Sequence, residues 1–460
     1  MAFDTSVGKR ASKLRQQDRF WEYFCLALLI GAGLILYTIN LGSLPLDRLQ
    51  EATNSQIAQQ ILAFPNDLRA WIFPAAPNSA IARSPLFPDL LALSYYLGGV
   101  SPLTTRLPGA LLAALSTGLL YGIGRELFRG SPPALWACCV YVTFFPLIHH
   151  GRVATFQGTL LFWEMFSLWA ILRSRRDLRW TLITGFGLSL VGLTHSWAII
   201  PVAIVLGLFL AWDTPRLLSC SYFYGGLILG LLPLIIWWLA QWQSLDLTFA
   251  QWDYNSSLAV VKSNFAGYFQ QIIGWLSLKS FPLYLSGLLY LSSPWLIISV
   301  YGLKLAWYCR NWGWAKLILV TTCTYLGFLG FSILMNLVQS EGNSFEVIGL
   351  PIYPMLALAA GMQLYQLRNL PSYLNYPLTW SWVFNGCGIA IVLLGFYRKF
   401  VLKLNFDWLL LAIFGSSILT LITAAILLYR KDIQFMTVLI WGSYISLLLF
   451  FGSQYWIISA

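Results

Sequence analysis

Apolar runs long enough to cross a bilayer recur along the whole chain, and no other feature limits its fold as strongly. A spanning helix needs about 20 consecutive apolar residues, because each residue advances roughly 1.5 Å through about 30 Å of hydrocarbon. Thirteen runs are candidates, near 20–41, 103–124, 134–148, 156–172, 180–195, 197–212, 219–240, 284–303, 317–337, 349–367, 379–397, 407–429 and 434–457 of the 460 residues. Only 10% of the residues are Asp, Glu, Lys or Arg and 58% are hydrophobic, against about 25% charged residues in a soluble domain. A soluble fold is therefore excluded. The expected architecture is an all-α polytopic membrane protein with about 13 transmembrane helices.

The formal charge of +11 would point to nucleic acid in a soluble protein. Here it reads as orientation, since basic residues collect in loops that stay cytoplasmic, and no nucleic-acid partner is expected. Lys9, Arg10, Lys13, Arg15 and Arg19 precede a first run that is too long for a cleavable signal and lacks a small-residue cleavage site. That places the N-terminus inside. With it go Arg125 and Arg129, the cluster Arg173, Arg175, Arg176 and Arg179, then Arg216, Lys304, Arg310, Lys316, Arg368, Arg430 and Lys431, which makes 18 of the 28 basic residues. Arg398, Lys399 and Lys403, before the last two runs, oppose the rule. The seven Cys residues lie in or beside apolar runs, where thiols pack as small hydrophobes, and form no metal-binding or disulfide pattern.

Two outer segments, 42–101 and 241–282, are too long to be simple connectors. Both are rich in Trp, Tyr, Phe and Leu, as in Ala70-Trp71-Ile72-Phe73 and Gly274-Trp275-Leu276, which suits helices lying in the membrane interface. Within the first, Asp47-Arg48-Leu49-Gln50-Glu51-Ala52 leads to Ile57, Ile61 and Leu62 at helical spacing, so a short amphipathic helix is expected with Asp47 and Glu51 on one face. The chain thus divides into a basic N-terminus (1–19), a transmembrane core with the two outer loops (20–367) and C-terminal helices (368–460).

Several segments, in order, resemble the GT-C superfamily of membrane glycosyltransferases, and within it the aminoarabinose transferase and protein mannosyltransferase group. Gln50-Glu51-Ala52-Thr53-Asn54-Ser55-Gln56-Ile57-Ala58 is similar to that group's first-loop acidic motif, and Arg83-Ser84-Pro85-Leu86 to its Lys-Pro-Pro-Leu. Thr105-Arg106-Leu107-Pro108-Gly109-Ala110 resembles the start of its second span, Gly151-Arg152-Val153-Ala154-Thr155-Phe156-Gln157 its second outer loop, and Leu350-Pro351-Ile352-Tyr353-Pro354 the start of its tenth. The resemblance implies the GT-C fold and transfer of a sugar from a polyprenyl-phosphate carrier to a lipid, glycan or protein acceptor. It also implies a multi-pass protein of a bacterial plasma membrane. Departures fall where chemistry is expected: Gln50 and Gln157 stand where the group has carboxylates, Arg83 replaces its lysine, and Thr194-His195-Ser196 replaces its Thr-Lys-Gly. Gln can neither accept a proton as a general base does nor bind a hard cation as an anion.

Such a transfer needs a carboxylate beside the acceptor hydroxyl, positive charge over the departing phosphate and an apolar groove. Glu51 and Asp47 are the surviving acids of the first loop and are assigned the catalytic role; a helix-start charge favourable to the dipole is the structural alternative. Arg83 and Arg152 are assigned to the phosphate, which Arg grips through two oxygens, with Gln50, Gln157 and His195 beside the substrate. Lys262 and Lys279 read as headgroup contacts. His149, His150 and His195, all at outer helix ends, could ligate a divalent metal, but no metal ligand is assigned. Glu164, inside the fourth run, calls for a partner on a neighbouring helix. The rival reading is a non-catalytic relative that keeps the lipid groove and serves as a binding or partner subunit.

Overall fold

The computed structural model describes residues 4–46, 49–74, 84–128, 130–249, 294–336, 350–369, 378–400 and 408–454. Every predicted apolar run carries helix among its described residues, and no strand occurs among them. α1 (Asp4–Thr38) comprises the basic N-terminus and the first run. The first outer loop folds into α2 (Leu49–Ala63), α3 (Leu68–Ile72) and α4 (Leu86–Gly98). α5 (Pro102–Leu127) follows, started by a capping box in which the Ser101 and Thr104 side chains each accept the other's backbone N–H, with Pro102 in the first turn.

The third run is not one straight helix. α6 (Pro132–Val142) and α7 (Phe145–Arg152) meet at 59°, because Pro146 has no N–H to bond the Val142 carbonyl one turn back. α8 (Gln157–Ser174), α9 (Trp180–Thr194), α10 (Ile199–Asp213), the short α11 (Pro215–Leu218) and α12 (Ser221–Phe249) complete the first half. α13 (Trp295–Tyr308), α14 (Gly313–Asn336), α15 (Ile352–Asn369), α16 (Leu378–Phe400), α17 (Trp408–Tyr429) and α18 (Phe435–Gly452) form the second. Among the described residues six helices are long and apolar enough to cross a membrane, or seven if the bent α6–α7 pair is one span. Among the described residues the fifth run is the 15-residue α9, and the eighth carries the 14-residue α13.

The core lies where α5, α6, α8 and α9 pack together, with α12 against α9 and α15 between α6 and α13. Close backbone approach substitutes here for the hydrophobic driving force that lipid removes: a Cβ on Gly185 of α9 would lie 2.4 Å from the Leu227 carbonyl of α12. α16, α17 and α18 pack mainly on one another. Glu164 of α8 accepts a hydrogen bond from the Tyr325 hydroxyl of α14 at 3.2 Å.

Charges sort to two ends of this bundle. At the end termed here the inner rim, Arg125 meets Glu22, Arg173 and Arg176 meet Glu126, and Arg175 and Lys316 share Asp213. The opposite end, the outer rim, carries α2 to α4. Arg106 and Arg125 lie 19 residues apart on α5, about 28 Å at helical rise, close to the thickness of a hydrocarbon core.

Candidate functional site

The outer rim is built on a buried ion pair. Glu51, in the first turn of α2, is 1% exposed, and Arg106 of α5 is 0% exposed. Arg106 grips the carboxylate with both arms, Nε to Oε1 at 3.0 Å and Nη2 to Oε2 at 2.8 Å, while the backbone N–H of Ala154 donates to Oε1 at 2.7 Å. The remaining guanidinium hydrogens go to the carbonyls of Leu41, Leu44 and Pro45. Asn54, one turn further along α2, donates to the Ala154 carbonyl at 3.0 Å. α2 therefore holds both backbone groups of Ala154, in the link between α7 and α8.

That link enters the bundle because Gly158 faces Gly109 of α5, where a Cβ would come within 2.7 Å of the Gly109 carbonyl. Tyr95 ties α4 to its neighbours, donating to Ser55 of α2 at 2.8 Å and meeting Thr105 of α5 at 2.7 Å. Ser84, just before α4, meets Ser196 at 3.0 Å. Beside Ser196, His195 stacks on Phe156 with ring centres 4.5 Å apart. Burial pushes the His195 imidazole below its ordinary pKa, so the ring is neutral at pH 7 and offers one N–H and one lone pair. Gln157 follows Phe156 at the start of α8, 5% exposed, and its Oε1 finds no partner among the described residues; nor does the Thr155 hydroxyl.

These positions revise several expectations. Glu51 reaches the outer rim, where its carboxylate accepts from three donors and is shut off from solvent. Arg152 is 0% exposed, bonds the carbonyls of Leu36 and Ile39 at 2.6 Å and lies over the Phe451 ring. Arg152 is thus enclosed between α1 and α18. Gln50 is exposed at the start of α2. His195 stacks on Phe156, the residue next to Gln157 in the chain. Asp47, Arg83, Lys262 and Lys279 lie outside the described residues. Among the described residues no three His, Cys, Asp or Glu side chains gather as metal ligands; His149 stacks on Phe145, on the other side of the rim.

Two rim residues had no assigned role in the sequence reading. Arg106 was visible in the Thr105-Arg106-Leu107-Pro108 segment, yet its partner is 55 positions away. Asp89 lies in the first turn of α4, in Phe87-Pro88-Asp89-Leu90-Leu91, an acid amid apolar neighbours. Its Oδ1 is buried without a partner among the described residues, and burial pushes its carboxyl up to about 7.

The family described as dolichyl-phosphate-mannose-protein mannosyltransferase matches residues 82–238. An undecaprenyl phosphate-α-4-amino-4-deoxy-L-arabinose arabinosyl transferase of Pseudomonas fluorescens is 26% identical over 207 residues, 43% of this chain and 35% of the relative. The match thus spans about a third of that relative's length. ArnT from Cupriavidus metallidurans, solved with undecaprenyl phosphate bound, superimposes with a TM-score of 0.63 at 16% identity, covering 92% of this chain and 76% of that one. An oligosaccharyltransferase from Archaeoglobus fulgidus gives 0.52 at 12% identity, over 94% of this chain and 55% of the other. The chain has the fold of the GT-C membrane glycosyltransferases and resembles ArnT.

Proposed function

We propose that the protein is a glycosyltransferase that moves a sugar from a polyprenyl-phosphate carrier to a lipid, glycan or protein acceptor at the outer face of a bacterial plasma membrane. The observation that carries this reading is the overlap of the matched stretch 82–238 with the outer rim, since it contains α4, Arg106, Gln157 and His195. The inner rim, rich in exposed Arg, faces the cytoplasm, and the N-terminus lies with it.

The rim's own chemistry supports each requirement in turn. Gln157 and Thr155 present buried oxygens, unpartnered among the described residues, that can accept from sugar hydroxyls, and neutral His195 adds a donor and an acceptor. Arg83, four residues ahead of Phe87 at the entry to α4, takes the carrier phosphate. Glu51 and Arg106 fix α2 against the α7–α8 link and so set the shape of the cleft. Asp47 and Asp89 remain as carboxylates for the acceptor proton.

One observation favours a second reading, a lipid-binding partner subunit without transfer. Gln50 and Gln157 carry no charge, and Glu51 is neutralised by Arg106. Both readings meet the same experiment: purified protein in liposomes, with undecaprenyl phosphate bearing labelled 4-amino-4-deoxy-L-arabinose or mannose, and a membrane lipid and glycan extract as acceptor. Label moving to the extract supports the transferase. Retention of undecaprenyl phosphate without any transfer selects the binding subunit.

A further inference from the structure

Glycine shapes the seam between α9 and α12. A Cβ on Gly226 of α12 would lie 3.1 Å from the Leu182 nitrogen of α9, and one on Gly230 would overlap the Leu182 carbonyl, so the two backbones touch along these turns. Where α12 lacks side chains it leaves a groove of about 330 Å³, lined by Leu182, Ile183, Phe186, Leu229, Gly230 and Pro233. Leu182, Phe186 and Leu229 are exposed, which puts the groove on the lipid-facing side of the bundle.

Helical register carries both walls to the inner rim. Arg179 is the helical N-cap of α9, three residues before Leu182 and seven before Phe186, and so stands on the groove's side of that helix. Tyr222, in the first turn of α12, is seven residues before Leu229 and eleven before Pro233, on the same side of its helix. The walls adjoin at this end, where Thr181 lies against Gly226. Both mouth residues are exposed. Arg179 also differs from its sequence neighbours. Arg173 and Arg176 meet Glu126, and Arg175 meets Asp213, whereas Arg179 forms no ion pair among the described residues. Asp177, beside it, accepts from the Arg179 backbone N–H.

Length selects the occupant. Tyr222 to Pro233 is eleven residues, about 16 Å at helical rise, or half of a hydrocarbon core of about 30 Å. A spanning helix of a second copy would call for a contact face through the whole core, whereas an acyl chain entering from one leaflet needs only half of it. We propose that this groove binds an anionic phospholipid of the leaflet at the inner rim, with an acyl chain between α9 and α12 and the phosphate on Arg179. The lining supplies hydrocarbon for the chain. Arg179 can grip two phosphate oxygens, and Tyr222 sets an apolar ring with a polar tip at the boundary between chain and headgroup.

The test incubates the purified full chain in detergent with equal amounts of phosphatidylglycerol and phosphatidylcholine bearing the same acyl chains. Native mass spectrometry counts the retained lipid, and the melting temperature without added lipid checks folding. Wild type is expected to retain phosphatidylglycerol preferentially. Arg179→Gln should lower that retention about fivefold, the effect of one basic residue at a membrane surface, at unchanged melting temperature. Leu229→Trp, which fills the groove, should lower it with every charge in place. Arg310→Gln, at the inner rim between α13 and α14, should retain lipid as wild type does. Equal retention of the two lipids by wild type overturns the proposal, as does undiminished retention in Arg179→Gln or Leu229→Trp. Equal losses in Arg179→Gln and Arg310→Gln overturn it by showing diffuse surface charge. A dimer of the wild type that Leu229→Trp dissociates gives the groove to a second copy and overturns it too.

Discussion

The two ends of α5 treat charge in opposite ways. At its start Arg106 is wholly buried, holding Glu51 and three carbonyls of the segment that follows α1. At its end Arg125, 43% exposed, meets Glu22, and Glu126 meets two arginines whose side chains are 40% and 70% exposed. Exposed pairs contribute about 0–1 kcal/mol each, so the inner rim's ion pairs add little to stability. A buried pair does not add much net stability over an apolar replacement, but removing one partner strands a desolvated charge at about 3–5 kcal/mol. Charges that look alike in a sequence count thus divide into exposed pairs of small effect and a buried pair that locks the outer rim.

The sharpest way to break this comparison is Glu51→Gln. It should lower stability by about 3–5 kcal/mol, read as a large drop in melting temperature in detergent, and Glu51→Leu with Arg106→Leu should recover most of that loss. Wild-type melting with transfer abolished would return Glu51 to the chemistry. Next comes Arg152→Met, which frees the carbonyls of Leu36 and Ile39; roughly 2–3 kcal/mol should go, since bonds to a charged donor contribute about 1.5–3 kcal/mol each and Met refills part of the volume. Thermal unfolding beside the Glu51 variant would show whether both buried arginines belong in one class.

Asp89 lies between the two extremes, half-buried and without a side-chain partner among the described residues. Burial raises its pKa to about 7 from the ordinary value of 3.8, so the folded chain binds this proton more tightly than the unfolded one. The associated stability is present below about pH 4 and lost as pH rises through 7. Asp89→Asn should therefore match wild type at pH 4 and exceed it at pH 8 by about 1 kcal/mol, the low end for a buried unsatisfied group. Unfolding at both pH values checks the sign. The smallest effect is expected for Arg176→Ala at the inner rim: under about 0.5 kcal/mol, and vanishing as salt is raised toward 1 M. A larger, salt-insensitive loss would mean that the inner rim is more than an orienting surface.

Much of the fold was legible because hydrophobic length is a local property. Each apolar run carries helix among its described residues, and Trp71 and Ile72 fall in a short helix as the composition of the first loop implied. The break between α6 and α7 was readable too, from Pro146 inside the third run. The site was harder. Glu51 looked like a base because its partner is set by tertiary packing 55 positions away, and no local pattern marks that pairing. Arg152 looked like a phosphate ligand because a helix-end arginine carries no sign of whether its end is capped by solvent or by another helix. Asp89 did leave a trace, one acid in Pro88-Asp89-Leu90-Leu91, which the stronger acidic pattern at Gln50-Glu51 obscured.

The turn after α1 has a consequence for biosynthesis. Asn40, in a left-handed conformation that its short amide side chain tolerates, donates to the carbonyls of Gly452 and Ser453 at 3.1 Å, 412 and 413 residues away. At about 5–20 residues per second, a ribosome needs roughly 20–80 s to travel between them. For that interval α1 is in the bilayer with the end of its outer turn open to water and headgroups, and Arg152 arrives before its third acceptor, the Phe451 carbonyl. This end of the bundle is closed by α18, whose Phe451 also lies beneath Arg152 and stacks on Phe145, so its final packing is set by the insertion of the last helix described.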